Sequence, residues 1–438
     1  MKLTKLSLVA VALLTTSTVF AIENTKVSGD ARLYYGTTDS NAAGNGGFFS
    51  KDASYTDISL HLGLTTDLTK GISAGVGMQV VTTLGVENNL VSNVWSGAHG
   101  VSDSAGSHFA GGKQVDSAMW MDEVWLAGSA FDTTLKVGRQ TLDTPLAFTE
   151  TWGLDKNTFE AVVLVNQSIK DTTLVATFIG KSNGSADEEA GTLGNASPTP
   201  TYIGTYGVGS YVAGNGRFNT FGTNGVYAIG AINNSFKPVT VQAWYYDMVF
   251  LAKAYWLQAD VKCSLIDNVL LGVQFANTKA EAAPSADTTA YSLMAGYVIK
   301  DVATIKAAFS SVDSGGALGV ANTATGTSWT KGGQSKLYTE MWWNYGNVSA
   351  QGATSYSLTA EGEVGPKIQL LGGIYYSDID NNAPTTTDRK VTEATIVASK
   401  AFGPLETSAA LIFADKNYVN NASDVKSTDI QLYLKYNF

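Results

Sequence analysis

Short segments in which apolar and polar residues alternate with a period of two recur along almost the whole sequence. The segment 26–35 has apolar residues or glycine at Val27, Gly29, Ala31, Leu33 and Tyr35. Successive side chains of a β-strand point to opposite faces, so this pattern predicts strands with one apolar and one polar face. After residue 21, no apolar run approaches the roughly 20 residues that a membrane-spanning helix requires. The chain is therefore expected to be all-β.

Eighteen such segments can be placed, most of them close to the ten residues with which a tilted strand crosses a bilayer. They lie at 26–35, 57–64, 72–80, 119–128, 133–140, 159–166, 172–181, 225–232, 239–247, 251–262, 268–277, 288–298, 302–311, 353–362, 367–377, 391–400, 405–414 and 429–438. An even number places both ends of a barrel on one side of the membrane, and sixteen strands are the alternative count. A soluble β-sandwich does not usually need strands this long and this uniformly two-faced.

Connection lengths also follow a pattern. Short links at 67–70, 129–132, 167–171 and 363–367 alternate with long ones at 37–53, 84–118, 141–158, 182–224, 278–287, 312–352, 378–390 and 415–428. Transmembrane barrels have short periplasmic turns and long extracellular loops. A β-solenoid would instead repeat at a fixed period, and none is present. The pattern predicts a single transmembrane antiparallel β-barrel domain over 22–438.

The two ends of the sequence indicate export. Lys2 and Lys5 precede an apolar stretch at 6–14 and the small-x-small pattern that ends at Ala21, which predicts a secretory signal peptide over 1–21. The last segment alternates up to Tyr436 and Phe438, as in the assembly signal that the barrel-assembly machinery reads in outer-membrane barrels. Together these features predict the outer membrane of a Gram-negative cell, with outer-membrane lipid and lipopolysaccharide as surroundings.

Several classes of function are disfavoured. The net charge of −10 argues against a nucleic-acid partner. The three histidines, His61, His99 and His108, have no nucleophile motif near them, so no enzymatic activity is expected. Cys263 is the only cysteine, which excludes an intramolecular disulfide. No cofactor is expected, although calcium at loop carboxylates stays open; the candidates are Asp187, Glu188, Glu189, Asp378, Asp380 and Asp388.

The inward faces of a barrel line its pore. The residues expected on the lumen wall of the first strands are Asp30, Arg32, Asp57, Glu123 and Lys136. Over the whole barrel, this register places nine acidic and seven basic residues inside. Such a nearly balanced lumen is typical of a wide, water-filled channel with weak selectivity for cations.

One region carries a specific motif. The strand end Gly138-Arg139-Gln140 is followed by Thr144-Pro145-Leu146 and by Asn157-Thr158-Phe159-Glu160. Over about 120–181 the chain resembles the OprD-like group of Gram-negative outer-membrane porins, which includes porins called major outer membrane proteins. The resemblance implies that the third loop, 141–158, folds into the barrel, and that the chain assembles as a homotrimer. The residues it places at the pore constriction are Arg139, Asp143, Glu150, Asp155, Lys156 and Glu160; the alternative is an external loop with solvated charges.

The chain departs from this group in its arginines. Members that import basic amino acids or carboxylates line the pore with a ladder of arginines, whereas this sequence has only Arg32, Arg139, Arg217 and Arg389, far apart. The most favoured function is therefore passive diffusion of ions and small hydrophilic solutes. A substrate-selective channel of the same group is an alternative, and so is a surface adhesin or structural barrel, for which the loops at 182–224 and 312–352 are long enough.

Overall fold

The architecture comes from a computed structural model of the chain. It describes residues 23–41, 46–82, 93–94, 117–184, 218–221, 224–250, 252–263, 266–281, 287–316, 319–324, 333–380, 388–418 and 424–438. The predicted signal peptide, His99, His108, Arg217 and the carboxylates at 187–189 lie outside these ranges, as does the side chain of Asp57.

Eighteen long strands form within the described ranges. They are β1 (Glu23–Ser40), β2 (Ser54–Thr69), β3 (Ile72–Thr82), β4 (Ser117–Ala130), β5 (Thr133–Gln140), β6 (Phe159–Asn166), β7 (Thr172–Ser182), β8 (Val226–Asn233), β9 (Val239–Met248), β10 (Ala252–Lys262), β11 (Val269–Ala280), β12 (Thr288–Ile299), β13 (Ala303–Val312), β14 (Ala353–Val364), β15 (Ile368–Ile379), β16 (Arg389–Phe402), β17 (Leu405–Tyr418) and β18 (Val425–Asn437). Two-residue strands at Asn93–Val94 and Asn219–Thr220 pair onto β2 and β7. Lys51–Ala53 and Tyr345–Asn347 are single 3₁₀ turns.

The strands form one closed barrel. Each pairs antiparallel with the next, and β1 closes the circle by pairing with β18 from Asp30 opposite Asn437 to Ser40 opposite Ser427. The prediction of an 18-stranded barrel is confirmed, so the alternative count of sixteen is wrong. Closure leaves no sheet edge, which satisfies the backbone of every long strand without a disulfide.

The wall has two chemically different faces, as the alternation predicts. Outward side chains are apolar and exposed, for example Leu126 (56%), Ile229 (58%) and Leu358 (51%). Inward positions hold buried polar groups such as Gln274 and Gln431. An apolar band of this kind is unfavourable in water and favourable in lipid. No described helix is long and apolar enough to cross a membrane.

Small residues lie on opposite faces of two strands. On β10, Ala252 and Ala254 are fully buried inside the barrel, so they cannot form an outer surface that packs on a neighbouring barrel. On β3, by contrast, Val76 faces outward and is 42% exposed.

The two ends of the barrel differ in their connections. At one end the strands are joined by tight turns, such as the one between β4 and β5, where Phe131 and Asp132 both have positive φ angles (49° and 56°), as a two-residue hairpin turn requires. At the other end the connections are long, except for the short link between β9 and β10. We call them the short-turn end and the long-loop end. Described parts of two long loops, 141–158 and 313–352, extend from the long-loop end into the interior.

Candidate functional site

The first half of the third loop lies inside the barrel and packs against strands β9 and β10. Residues 144–147 form a tight turn in which the Thr144 hydroxyl donates a hydrogen bond to the Ala147 carbonyl (2.7 Å). Leu146 and Ala147 are almost completely buried, in a cluster that includes Tyr246 and Trp256 of β9 and β10. Apolar packing therefore anchors this half of the loop to the β9–β10 wall.

The second half of the third loop crosses to the opposite wall. The Arg32 guanidinium of β1 donates to the carbonyls of Thr151 (3.2 Å) and Gly153 (2.7 Å). The Ser59 hydroxyl of β2 donates to the carbonyl of Leu154 (2.6 Å). These bonds hold the backbone of the loop across the lumen, so the third loop lies within the barrel and is not an external loop.

A second loop, 313–352, also enters the lumen. The Tyr338 hydroxyl donates to Asp260 of β10 (2.6 Å), and Gln274 of β11 donates to the Lys336 carbonyl (2.8 Å). Glu393 of β16 is fully buried and accepts the backbone N–H groups of Trp343 (3.0 Å) and Asn344 (2.8 Å). The expectation of an external loop over 312–352 is wrong for these described residues.

The two loops contact each other directly. The Asn322 amide donates to the Phe148 carbonyl (2.9 Å) and to Glu150 (2.8 Å). The Lys336 ammonium donates to Asp143 (2.8 Å), and the rings of Trp152 and Trp343 meet edge to face at 6.0 Å. The lumen is thus narrowed by one structure built from both loops.

Two of the acids expected at the constriction do not face the channel. Glu150 and Asp155 are each 2% exposed, whereas Asp143 is 83% exposed at its side chain. One oxygen of Asp155 has no hydrogen-bond partner, and burial raises the pKa of this carboxyl to about 7, despite the nearby Arg32 charge, which lowers it. Of the three third-loop carboxylates, only Asp143 is available to a passing ion.

A bulge in β4 brings an additional acid into the lumen. The pairing shifts from Gly77 opposite Glu123 to Gln79 opposite Trp120, so β4 has one residue more than β3 at this point. Asp122 and Glu123 therefore both point inward, and Asp122 is fully buried. Gly77 makes this possible, since a Cβ atom there would lie 2.6 Å from an oxygen of Asp122. Simple alternation places only Glu123 inside, which is why the sequence did not reveal Asp122.

Lys156 and His61 surround these two carboxylates. The Lys156 ammonium donates to Glu123 and lies 3.5 Å from Asp122, while His61 Nε2 lies 3.2 Å from the same Asp122 oxygen. Lys156 of the third loop therefore lies against β4, and the two carboxylates compensate its charge. His61, Asp122 and Glu123 form the one group among the described residues whose donor atoms, within 4.8 Å of one another, could hold a metal ion.

The other expected lumen charges are also paired. Asp30 and Arg32 of β1 form an ion pair at 2.6 Å. Arg139 of β5, Glu160 of β6 and Lys181 of β7 form a linked group, with Glu160 lying 2.9 Å from Arg139 and 3.6 Å from Lys181. This group faces the outer surface, since the neighbours Gln140, Phe159 and Ser182 are buried inside the barrel. The expectation that Arg139 and Glu160 line the pore constriction is therefore wrong. The Lys136 ammonium lies 4.2 Å from the centre of the Trp125 ring, in a cation–π contact. The lumen is polar and nearly balanced, with few isolated charges in its described part.

Two cavities lie beside the loops. One, of about 960 Å³, lies between the tip of the third loop, residues 334–343 and the wall, and its lining includes Arg32, Trp152, Trp343, Tyr375 and Tyr433. The other, of about 850 Å³, lies toward the short-turn end; its lining includes Asp260, Lys262, Lys306, Tyr338 and Glu361. Both are large enough for small solutes.

The loop carboxylates considered for calcium are not gathered in the described structure. Asp378 faces the outer surface and lies 3.4 Å from Lys390. At the short-turn end, Phe438 exchanges two backbone hydrogen bonds with Gly29, both 2.9 Å, and Tyr436 is 49% exposed on the outer wall.

No known protein family and no curated protein matches this sequence. Solved structures do match over nearly the whole chain. OccAB1 of Acinetobacter baumannii is 14% identical, with a TM-score of 0.69 over 97% of this chain and 98% of that one. OpdK of Pseudomonas aeruginosa, solved with vanillate, is 13% identical, with a TM-score of 0.68 over 96% of this chain and 100% of that one. OccK8 (OprE) of Pseudomonas aeruginosa is 15% identical, with a TM-score of 0.68 over 96% and 99%. The resemblance to the OprD-like group is confirmed at the level of the fold, which is that of a Gram-negative outer-membrane barrel.

Proposed function

We propose that this chain is an outer-membrane channel through which ions and small hydrophilic solutes diffuse passively. The observation that carries the proposal is the pair of inward loops, which narrow a polar lumen and leave cavities of about 960 and 850 Å³ beside them. A closed barrel with an apolar outer wall needs no such polar interior to be stable in lipid, whereas a channel does. A non-enzymatic role agrees with the fold shared with the solved channels.

The proposal includes a weak preference for cations. On β4, Asp122 and Glu123 share the single charge of Lys156, which leaves this part of the lumen negative at neutral pH. On the adjacent strand β5, the inward Lys136 lies near Glu123 and offsets part of this negative charge. Since these charges largely cancel, only a small selectivity is expected. Asp122 and Glu123 lie beside the tip of the third loop, where the channel is narrow. We therefore expect their negative charge to determine the selectivity and to favour cations.

Planar-bilayer recording of the purified chain tests the proposal. We expect stepwise conductance and, in a salt gradient, a small reversal potential of cationic sign. Glu123→Gln should shift that potential toward anions, most clearly at low salt. Asp378→Asn, which removes a carboxylate on the outer wall, is the control and should leave the potential unchanged. An absence of steps would favour an adhesin or structural barrel instead.

A substrate-selective channel is a second candidate, because the larger cavity combines aromatic rings with a guanidinium group. Trp152, Trp343, Tyr375 and Tyr433 line it together with Arg32. OpdK, which shares the fold, was solved with vanillate, an aromatic carboxylate. Saturable reduction of the ion current by vanillate, but not by a sugar of similar size, would favour selectivity. Equal, non-saturating reduction by both would favour the general channel.

We also propose that the barrels assemble as homotrimers, as the resemblance implies. Outward small and apolar side chains near Ala74 and Val76 of β3 are compatible with a packed interface. Chemical crosslinking in mild detergent should give a trimer, and a product that stays monomeric at all crosslinker concentrations would contradict this assembly.

A further inference from the structure

Charged side chains gather in two places on the outer surface near the long-loop end. The first rim patch consists of Asp247, Lys253, Lys279, Glu281 and Asp287, on and beside β9–β12. The second rim patch consists of Asp378, Lys390, Asp415 and Lys426, on β15–β18. Neither patch belongs to the lumen or to the two inward loops.

The register shows that the strand residues of these patches point away from the lumen. Lys253 lies between Ala252 and Ala254, and Asp378 lies between Ser377 and Ile379; all four neighbours are at most 2% exposed inside the barrel. Because side chains alternate along a strand, Lys253 and Asp378 must face outward. The partners of these two residues, Glu281 and Lys390, also have exposed side chains (32% and 54%).

Each patch lies next to aromatic rings on the membrane side. Tyr245 and Tyr255 lie two residues further into the wall than Asp247 and Lys253, and their rings are 5.1 Å apart. Phe413, 47% exposed, lies two residues further in than Asp415. Exposed aromatic rings on a barrel mark the level of the lipid headgroups. The rim patches are therefore at the height of headgroup phosphates.

The lysines in the patches are paired but still accessible. Lys253 lies 2.5 Å from Glu281, Lys390 lies 3.4 Å from Asp378, and Lys426 lies 3.4 Å from Asp415. The lysine side chains remain 38%, 54% and 66% exposed, respectively. Exposed ion pairs contribute little to stability, so a stronger anion can replace the carboxylate as the partner of the lysine.

We propose that the two rim patches bind the phosphate groups of lipopolysaccharide, the lysines directly and the carboxylates through shared divalent cations. Ammonium groups bind phosphate as point charges, and hard divalent cations coordinate carboxylate and phosphate oxygens together. Each patch carries about as many acids as lysines, so its net charge alone does not attract an anion, and the bridging cation is essential. The inference rests on the proposed outer-membrane location, with the long-loop end at the cell surface.

The test measures lipopolysaccharide bound to the purified, folded chain in detergent with magnesium, by native mass spectrometry. A variant with Lys253, Lys390 and Lys426 changed to Gln should bind at least about tenfold less. A control with Lys70, Lys170 and Lys300 changed to Gln removes the same charge at the short-turn end and should bind as the unaltered chain does. A chelator, or enzymatic removal of the phosphates, should also abolish binding to the unaltered chain.

Two results would overturn the inference: equal binding by the rim variant and the unaltered chain, or an equal loss in the control. Heat-modifiable migration on a gel checks that each variant is folded. Bilayer conductance is recorded for both variants and should not change. A channel that conducts normally but binds no lipopolysaccharide refutes this inference alone, and absent conductance refutes the channel proposal alone.

Discussion

At the scale of single residues, carboxylates inside the barrel position loops more than they face ions. Glu150 is bound by Asn322, and Glu393 is bound by the backbone of residues 343–344. Acidic side chains are usually exposed, so a sequence alone suggests that such residues face water. Their burial depends on contacts between residues at least 49 positions apart, which no local pattern reveals. This is why the sequence misjudged which charges of the third loop face the channel.

Asn322→Ala should loosen the contact between the two loops. It removes the donors to the Phe148 carbonyl and to Glu150, and an unsatisfied buried acceptor costs about 1–3 kcal/mol. We expect larger single-channel conductance with more frequent current fluctuations. Asn277→Ala, which removes an amide from a hydrogen bond to Thr289 at the barrel rim, is the control. Identical traces from both variants would show that Asn322 does not hold the loops together.

Asp155 should make the third loop sensitive to pH. The folded pKa of its carboxyl, about 7, is above the value of 3.8 in the unfolded chain. Because the folded state then binds more protons, this group stabilises the loop fully below pH 3.8, and the contribution is lost as pH rises toward 7. We expect current fluctuations to increase as pH rises from 3.8 to about 7 in the unaltered chain and in Asp143→Asn, but not in Asp155→Asn. A pH dependence that persists in Asp155→Asn assigns it to another group.

At the scale of elements, the period-two pattern predicted all eighteen strands because each strand separates lipid from the polar interior. It failed at the bulge in β4, where one extra residue turns both Asp122 and Glu123 inward. It also gave no sign that 313–352 enters the lumen, since nothing local distinguishes its inward residues from those of an external loop. The inward position of this loop depends on hydrogen bonds to side chains on β10, β11 and β16.

Glu393→Ala should release the 313–352 loop from the wall. The change leaves the N–H groups of Trp343 and Asn344 without their carboxylate partner, at a cost of about 1–3 kcal/mol for each. We expect higher single-channel conductance, with the barrel still resistant to detergent until it is heated. Glu406→Ala is the matched control, because that inward carboxylate is 55% exposed and contacts Asn437 (2.9 Å) and Lys435 (3.6 Å) of the wall, not a loop. Equal conductance in the two variants would show that Glu393 is not the anchor.

At the scale of the whole molecule, stability comes from closure of the sheet in lipid, and function comes from what fills its interior. The sequence was sufficient to predict the barrel because each strand shows the alternation of apolar and polar residues by itself. The lumen could be predicted only in outline, since its shape is set by contacts between loops and distant walls. The folded chain should therefore show a strand-dominated circular dichroism spectrum and migrate faster on a gel when unheated. A helical spectrum would contradict the architecture.

The most direct test of the central claim is osmotic swelling of liposomes that contain the folded chain, measured with uncharged solutes of increasing size. A diffusion channel narrowed by two loops should admit small sugars, and the swelling rate should fall steeply as the solute approaches the width of the lumen. Liposomes that contain a folded barrel, verified by its heat-modifiable migration, and yet swell with none of the solutes would show a blocked lumen and contradict the account.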